Sequence, residues 1–235
     1  MATLANKLLL GLTLVSFNAY AGVDKHYSET GFFDIHVCNW PDQPLFFMAL
    51  FSTDQYAKIR SIEVFTPDNK LLTSIGMKRY RVIKRKNKSD KHVFIKQLEV
   101  SDDSLDGRYK ARVTLNDGSI DETWDKVIIS RMGQANQMEP AHNAEVNLPL
   151  TQLKWQAIEG ARYYQVFVRD IWDEGKIIFS SKLLEQPFVA LPKGLIEADG
   201  WYSWKVHARD INEDILLGDF NHGSLSVEHQ FVIVE

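Results

Sequence analysis

The sequence predicts an all-β protein of two tandem sandwich domains. Three observations carry that expectation. Short runs of alternating apolar and polar residues recur along the chain, turn residues separate them at close spacing, and no stretch shows a helical period. A length of 235 residues exceeds one small sandwich and suits two domains of about 100 residues each.

The first 21 residues read as a cleaved signal peptide rather than as fold. Lys7 supplies the positive start, Leu8 to Phe17 is a short uncharged apolar run, and Ala19-Tyr20-Ala21 is a small-x-small cleavage site. The run is too short for a spanning helix, which needs about 20 apolar residues. No later segment is apolar enough to span a bilayer, so the mature chain is expected to lack a transmembrane segment. Cys38 is the single cysteine. It excludes an intrachain disulfide and lies too far from the cleavage site to carry a lipid anchor. An exported pair of sandwiches without a disulfide points to a bacterial periplasm, with the cell surface or secretion as alternatives.

In the first domain, residues 22–131, Phe33, Ile35 and Val37 alternate with polar residues, and Pro44 to Phe51 is a continuous apolar run. Ile59 to Phe65 ends at Thr66-Pro67-Asp68-Asn69, a turn sequence. Tyr80 to Ile83 and Val93 to Val100 flank a polar loop. Tyr109, Ala111, Val113 and Leu115 alternate before Asn116-Asp117-Gly118, a hairpin signal, and Trp124 to Ile129 completes the set. Residues 132–139 are polar, lack strand periodicity and stop at Pro140, which marks a linker. The second domain, residues 140–235, holds runs at Leu153 to Trp155, Tyr164 to Val168, Lys176 to Phe179, Phe188 to Leu191, Tyr202 to Ala208 and Gln230 to Val234.

The pattern Pro140 to Val146, Leu153-Lys-Trp155, Gly160-Ala-Arg-Tyr-Tyr164, Leu191-Pro192 and Gly200-Trp-Tyr202-Ser-Trp-Lys-Val206 resembles a fibronectin type III domain. The resemblance places Trp155 on the second strand and Tyr202 at the start of the penultimate one. It implies a fold and no particular function. Leu105-Asp-Gly-Arg-Tyr109 parallels Ala198-Asp-Gly-Trp-Tyr202. Both look like the tyrosine corner of immunoglobulin-like sandwiches, in which the phenol bonds back to backbone upstream. Two immunoglobulin-like sandwiches are therefore expected, the first of no nameable family.

The candidate sites are few. Lys78, Arg79, Arg81, Lys84, Arg85, Lys86, Lys88 and Lys91 surround the lone acid Asp90. The segment carries +7, so the rest of a chain of net charge −4 carries −11. It reads as a hairpin with its tip near Arg85 to Asp90. Two uses compete: weak, salt-sensitive docking to an anionic polymer, and a solvated edge whose charges discourage strand addition. The second is favoured. Export and the lack of interleaved aromatics disfavour nucleic acid.

Alternation in the second domain turns Tyr163, Phe167 and Trp201 outward, on strands that neighbour each other in the resembling fold, so an aromatic patch is expected. Trp172 and Trp201 are candidates for stacking on sugar rings. Asp102 to Gly107 imitates the start of a calcium loop, but its twelfth position is Val113 where a glutamate belongs. His36 and Cys38 alternate on one strand, yet no partner at ligand spacing accompanies them, and a lone cysteine is more often a small core residue. No metal, cofactor or catalytic residue is expected from sequence motifs. The expected function is a non-enzymatic exported adaptor that binds an envelope protein or glycan through sandwich faces and loops. The alternatives are a carbohydrate-active accessory module or weak glycan-processing enzyme, and a structural subunit of an envelope assembly.

Overall fold

The computed structural model describes residues 25–211 and 220–234. The expected signal peptide lies outside the described residues. The chain is all-β, as the alternating runs predict, with one short 3-10 turn at Tyr56–Lys58. Eight strands form the first half: β1 (Phe32–Asn39), β2 (Phe46–Thr53), β3 (Ile59–Phe65), β4 (Leu71–Ser74), β5 (Arg81–Ile83), β6 (Lys91–Glu99), β7 (Gly107–Leu115) and β8 (Ile120–Val127). Eight more follow: β9 (Ala144–Asn147), β10 (Gln152–Lys154), β11 (Tyr163–Asp170), β12 (Lys176–Ser180), β13 (Phe188–Ala190), β14 (Trp201–Arg209), β15 (His222–Leu225) and β16 (His229–Val234).

Alternation decides which side chains go inward. In the first half, Phe33, Ile35 and Val37 of β1, Phe47, Ala49 and Phe51 of β2, and Phe94 of β6 face Ile62 and Val64 of β3 and Tyr109, Ala111 and Val113 of β7. A four-stranded sheet in the order β4-β3-β7-β8 closes that sandwich. In the second half, Tyr164, Val166 and Val168 of β11, Tyr202, Trp204 and Val206 of β14, and Phe231 and Ile233 of β16 pack on Leu153, Trp155 and Val189. The β10-β13 pair covers that core. The Tyr109 hydroxyl donates to Leu105 O at 2.8 Å, and Glu197 N–H donates to the Tyr202 hydroxyl at 3.0 Å. Both phenols therefore bond back to backbone just upstream, as the shared Asp-Gly-x-Tyr pattern leads one to expect.

Two features depart from the sequence reading. Residues 132–139 are not a polar tether. Met132, Ala135 and Met138 are buried in the second core, and Glu139 bridges Lys154. Their apolar residues recur every three positions, a spacing that matches neither a strand nor a free linker.

The second departure is larger. The two halves share one ten-stranded sheet, whose main path runs β12-β11-β14-β15-β1-β2-β6-β5. The join is a parallel pairing of β1 with β15, with Val37 opposite His222, Cys38 opposite Gly223 and Asn39 opposite Ser224. All eight residues of β1 are buried, including Asp34 at 0% and His36 at 5% exposure. Gly223 is required at the join. A Cβ there would meet Phe220 Cε2 at 2.5 Å and His207 Nε2 at 3.2 Å.

Candidate functional site

Register across the join assembles a single outer face. Residues opposed in a pair share a face. Tyr163 opposes Arg209, Arg209 opposes Gly223, Gly223 opposes Cys38, and Cys38 opposes Phe46. One residue row thus crosses five strands from one half to the other. The next row on this face is Gln165, His207 and Leu225. Trp40 lies two residues past Cys38, and falls beside Leu225.

A groove of about 410 Å³ lies on this face. Trp40 and Arg81 line it from the first half. Phe167, Arg169, Ile177, Ser203, Trp204, Lys205, His207, Leu225 and Glu228 line it from the second. Its size is at the lower end of small-ligand sites. The Trp40 indole meets Phe46 edge-on, with ring centroids 5.1 Å apart and an 88° interplanar angle. Lys205 Nζ pairs with Glu228 Oε2 at 3.0 Å. Arg169 Nη1 donates to Gly175 O at 2.7 Å. The Arg81 guanidinium is exposed and makes no ion pair among the described residues.

Among the described residues, three side chains lining the groove hold a buried polar atom without a hydrogen-bond partner: Trp40 Nε1, Ser203 Oγ and His207 Nε2. Each such atom costs about 1–3 kcal/mol while unpaired. All three are able to donate. His207 Nδ1 accepts from the Arg209 guanidinium at 3.4 Å, which leaves the proton on Nε2. Burial pushes the His207 imidazole down to about 3, with the Arg209 and His36 charges adding to the shift. His207 is therefore a neutral donor, far too weak a base to take a proton near neutral pH.

Next to the groove, His36 Nδ1 lies 2.6 Å from Asp34 Oδ2, and the His36 ring packs on Phe220 with centroids 3.9 Å apart. Burial, with Asp34 contributing, raises the Cys38 thiol to about 12. The cysteine is 1% exposed, packed as a small apolar residue and held as the thiol. Among the described residues, no three His, Cys, Asp or Glu side chains are gathered to hold a metal ion.

The sequence-predicted residues are distributed unevenly around this site. The basic segment is a hairpin, with Arg81 opposite Val93, and β5 is the edge of the long sheet. Lys84 pairs with Asp90 at 2.6 Å, and Arg85 pairs with Asp54 at 2.8 Å while also holding Ser89 O. Lys78, Arg79, Lys86 and Lys88 are exposed. Of the segment, only Arg81 reaches the groove.

Tyr163, Phe167 and Trp201 share the expected face but do not form one patch. Phe167 opposes Lys205, midway along β14, whereas Tyr163 opposes Arg209 and Trp201 begins the strand. At about 3.3 Å per residue, four residues separate each from the next by about 13 Å. Trp201 instead meets Trp172, which is 70% exposed, at a 71° interplanar angle. Edge-to-face packing of the two rings does not make a flat platform. In the calcium-like loop, Ser104 Oγ accepts from Ser101 N–H within the turn, and Asp106 Oδ1 accepts from Ile129 N–H, which follows β8. Sequence reasoning missed Trp40, Ser203 and Lys205. Trp40 follows the Phe33, Ile35, Val37 alternation by an odd interval, which places it on the outer face, and that signal was legible.

No helix among the described residues is long and apolar enough to cross a membrane. No protein-family model and no curated protein matches the chain. Among solved structures, two of Salmonella alpha-2-macroglobulin align with it, one a point mutant and the other reacted with methylamine. They are 14% and 12% identical, cover 95% and 89% of this chain, and have TM-scores of 0.28 and 0.27. The chain spans 16% and 15% of the length of those proteins. Likeness at that level transfers neither fold nor function.

Proposed function

We propose that this chain is a non-enzymatic binding protein of the bacterial envelope that engages a protein or glycan on the outer face of its long sheet. The observation that carries the reading is the groove at the join of the two halves, lined by side chains with three unpartnered polar atoms. Such atoms are costly when left unpaired, and because they are buried a ligand accepts from them only after the lining side chains turn outward. The chemistry at hand favours binding over catalysis, because His207 is held neutral and Cys38 is held as the thiol. Export rests on the Lys7 to Ala21 pattern. The bonds made by Tyr109 and Tyr202, and the burial of Trp155, support an immunoglobulin-like first half and a fibronectin type III-like second half. A glycan-binding accessory role is the second reading, favoured by the exposed Trp172 beside Trp201.

The test is retention of an envelope component by immobilised wild type and by Lys205→Glu, which reverses a charge in the groove at a partly exposed position. Retention by the wild type that the variant loses, with unchanged unfolding midpoints, supports the reading. Equal retention by both contradicts it.

A further inference from the structure

We infer that the groove at the join recognises an acidic sugar residue, one hexose-sized ring bearing a carboxylate; this rests on the proposed reading of the groove as a binding site.

Charge selects the anion. Arg81, Arg169 and Lys205 line the groove against the single acid Glu228. Glu228 is already taken by Lys205, and Arg169 is tied to Gly175 O. Arg81 is left as a guanidinium without an ion-pair partner, a fork suited to a carboxylate. The lining also includes Trp40, Ser203 and His207, whose donor atoms Nε1, Oγ and Nε2 are buried and unpartnered among the described residues. A carboxylate and the oxygens of a sugar ring supply acceptors at several positions. A hydrocarbon supplies none.

The fold selects the sugar over a peptide. Extended peptides draw much of their affinity from main-chain hydrogen bonds to an exposed strand edge. The groove rests mainly on β11, β14 and β15, which are internal strands paired on both sides. Recognition here must come from side chains. Trp40 and Phe167 offer aromatic surface in the same groove as the polar groups. That mixture of apolar surface and a few convergent polar groups is typical of small-ligand sites.

The experiment follows the Trp40 indole ¹H–¹⁵N resonance, assigned by its loss in Trp40→Phe, while the full chain is titrated with four probes. These are galacturonate, galactose, inorganic phosphate and triglutamate. Galacturonate is expected to move the resonance saturably, and the other three at least tenfold more weakly. Arg81→Gln, at an exposed position, is expected to weaken galacturonate by about tenfold, as loss of a charged hydrogen bond does. Equal binding of galactose would remove the role of charge, and equal binding of phosphate the role of the ring. Stronger binding of triglutamate would make the ligand an acidic peptide. Any of these results overturns the inference, as does no response to any probe. If no probe binds but Lys205→Glu still releases the envelope component, the ligand class is wrong and the site stands. If Lys205→Glu also releases nothing, the site itself falls.

Discussion

Replacing His222 with Phe tests the join between the two halves through its pH dependence. His222 begins β15, and both ring nitrogens face acceptors. Nδ1 lies 2.8 Å from Asp210 Oδ2, and Nε2 lies 2.6 Å from Ile128 O and 2.8 Å from Ser130 Oγ of the first half. Only the imidazolium donates from both nitrogens. The Asp210 hydrogen bond raises the His222 pKa, burial opposes the rise, and the Ile128 carbonyl adds to it. Burial pulls Asp210 upward, but the hydrogen bonds from the His222 side chain and backbone outweigh it and leave its carboxyl below the ordinary range. A raised folded pKa stabilises fully below the unfolded value of about 6.5, and that stability is lost as pH rises through the folded pKa. The lowered Asp210 pKa sets the other limit, losing its contribution as pH falls below about 4. The bridge is therefore at full strength between those limits. Hydrogen bonds to charged groups contribute about 1.5–3 kcal/mol. The side chains retain 15% and 20% exposure, so screening favours the lower end, about 1.5 kcal/mol at pH 5.5. His222→Phe keeps a ring in place, and Asp210 Oδ1 still accepts from the backbone of Ile211, Asn221 and residue 222. Urea unfolding of wild type and variant at pH 5.5 and pH 9 is the assay. The gap between them should shrink to less than half at pH 9. A gap that is the same at both pH values refutes the charged bridge.

Three further outcomes are expected. Tyr109→Phe and Tyr202→Phe should each destabilise the protein by about 1 kcal/mol in urea unfolding, the net value of one hydrogen bond with a part-solvated partner; wild-type stability in both would show that the phenol bonds do not matter. Cys38 should resist iodoacetamide at pH 8 in the folded protein and react once unfolded, because burial keeps it a thiol; rapid labelling of the native chain would contradict that. If the basic hairpin docks an anionic polysaccharide, retention should be weak, and the joint change of Lys84, Arg85, Lys86 and Lys88 to Ser should abolish it, because exposed charges are screened over about 8 Å at physiological salt. If wild type and variant elute at the same low salt, the hairpin is only a soluble edge.

Much of the architecture was legible because alternation fixes faces. Tyr164, Val166 and Val168 point inward as their spacing predicts, and so do Tyr202, Trp204 and Val206. The join was not legible. Asp34 and His36 look like solvent-facing positions, yet both are buried, His36 against Phe220 from far along the chain. His222-Gly-Ser-Leu225 carries no apolar alternation. Its small residues answer to local contacts, with Gly223 making room for Phe220 and Ser224 Oγ donating to Gly133 O at 2.6 Å. The site inherits that difficulty, since its two walls lie far apart in sequence, Trp40 and Arg81 on one side and Phe167 to Glu228 on the other. The expected aromatic patch identified the right face, but counting residues along β14 would have shown that Tyr163 and Trp201 lie far apart on it.

The account depends on the shared sheet, because without the join Trp40 and Arg81 do not meet Ser203 and His207. Val37 N–H donates to Asn221 O at 2.9 Å across that join. Native-state hydrogen exchange of the Val37 amide measures it directly. The account predicts protection comparable to the core amides of β11 and β14. Exchange at the rate of an exposed strand edge, with those core amides still protected, would show the halves to be separate and the groove not to exist.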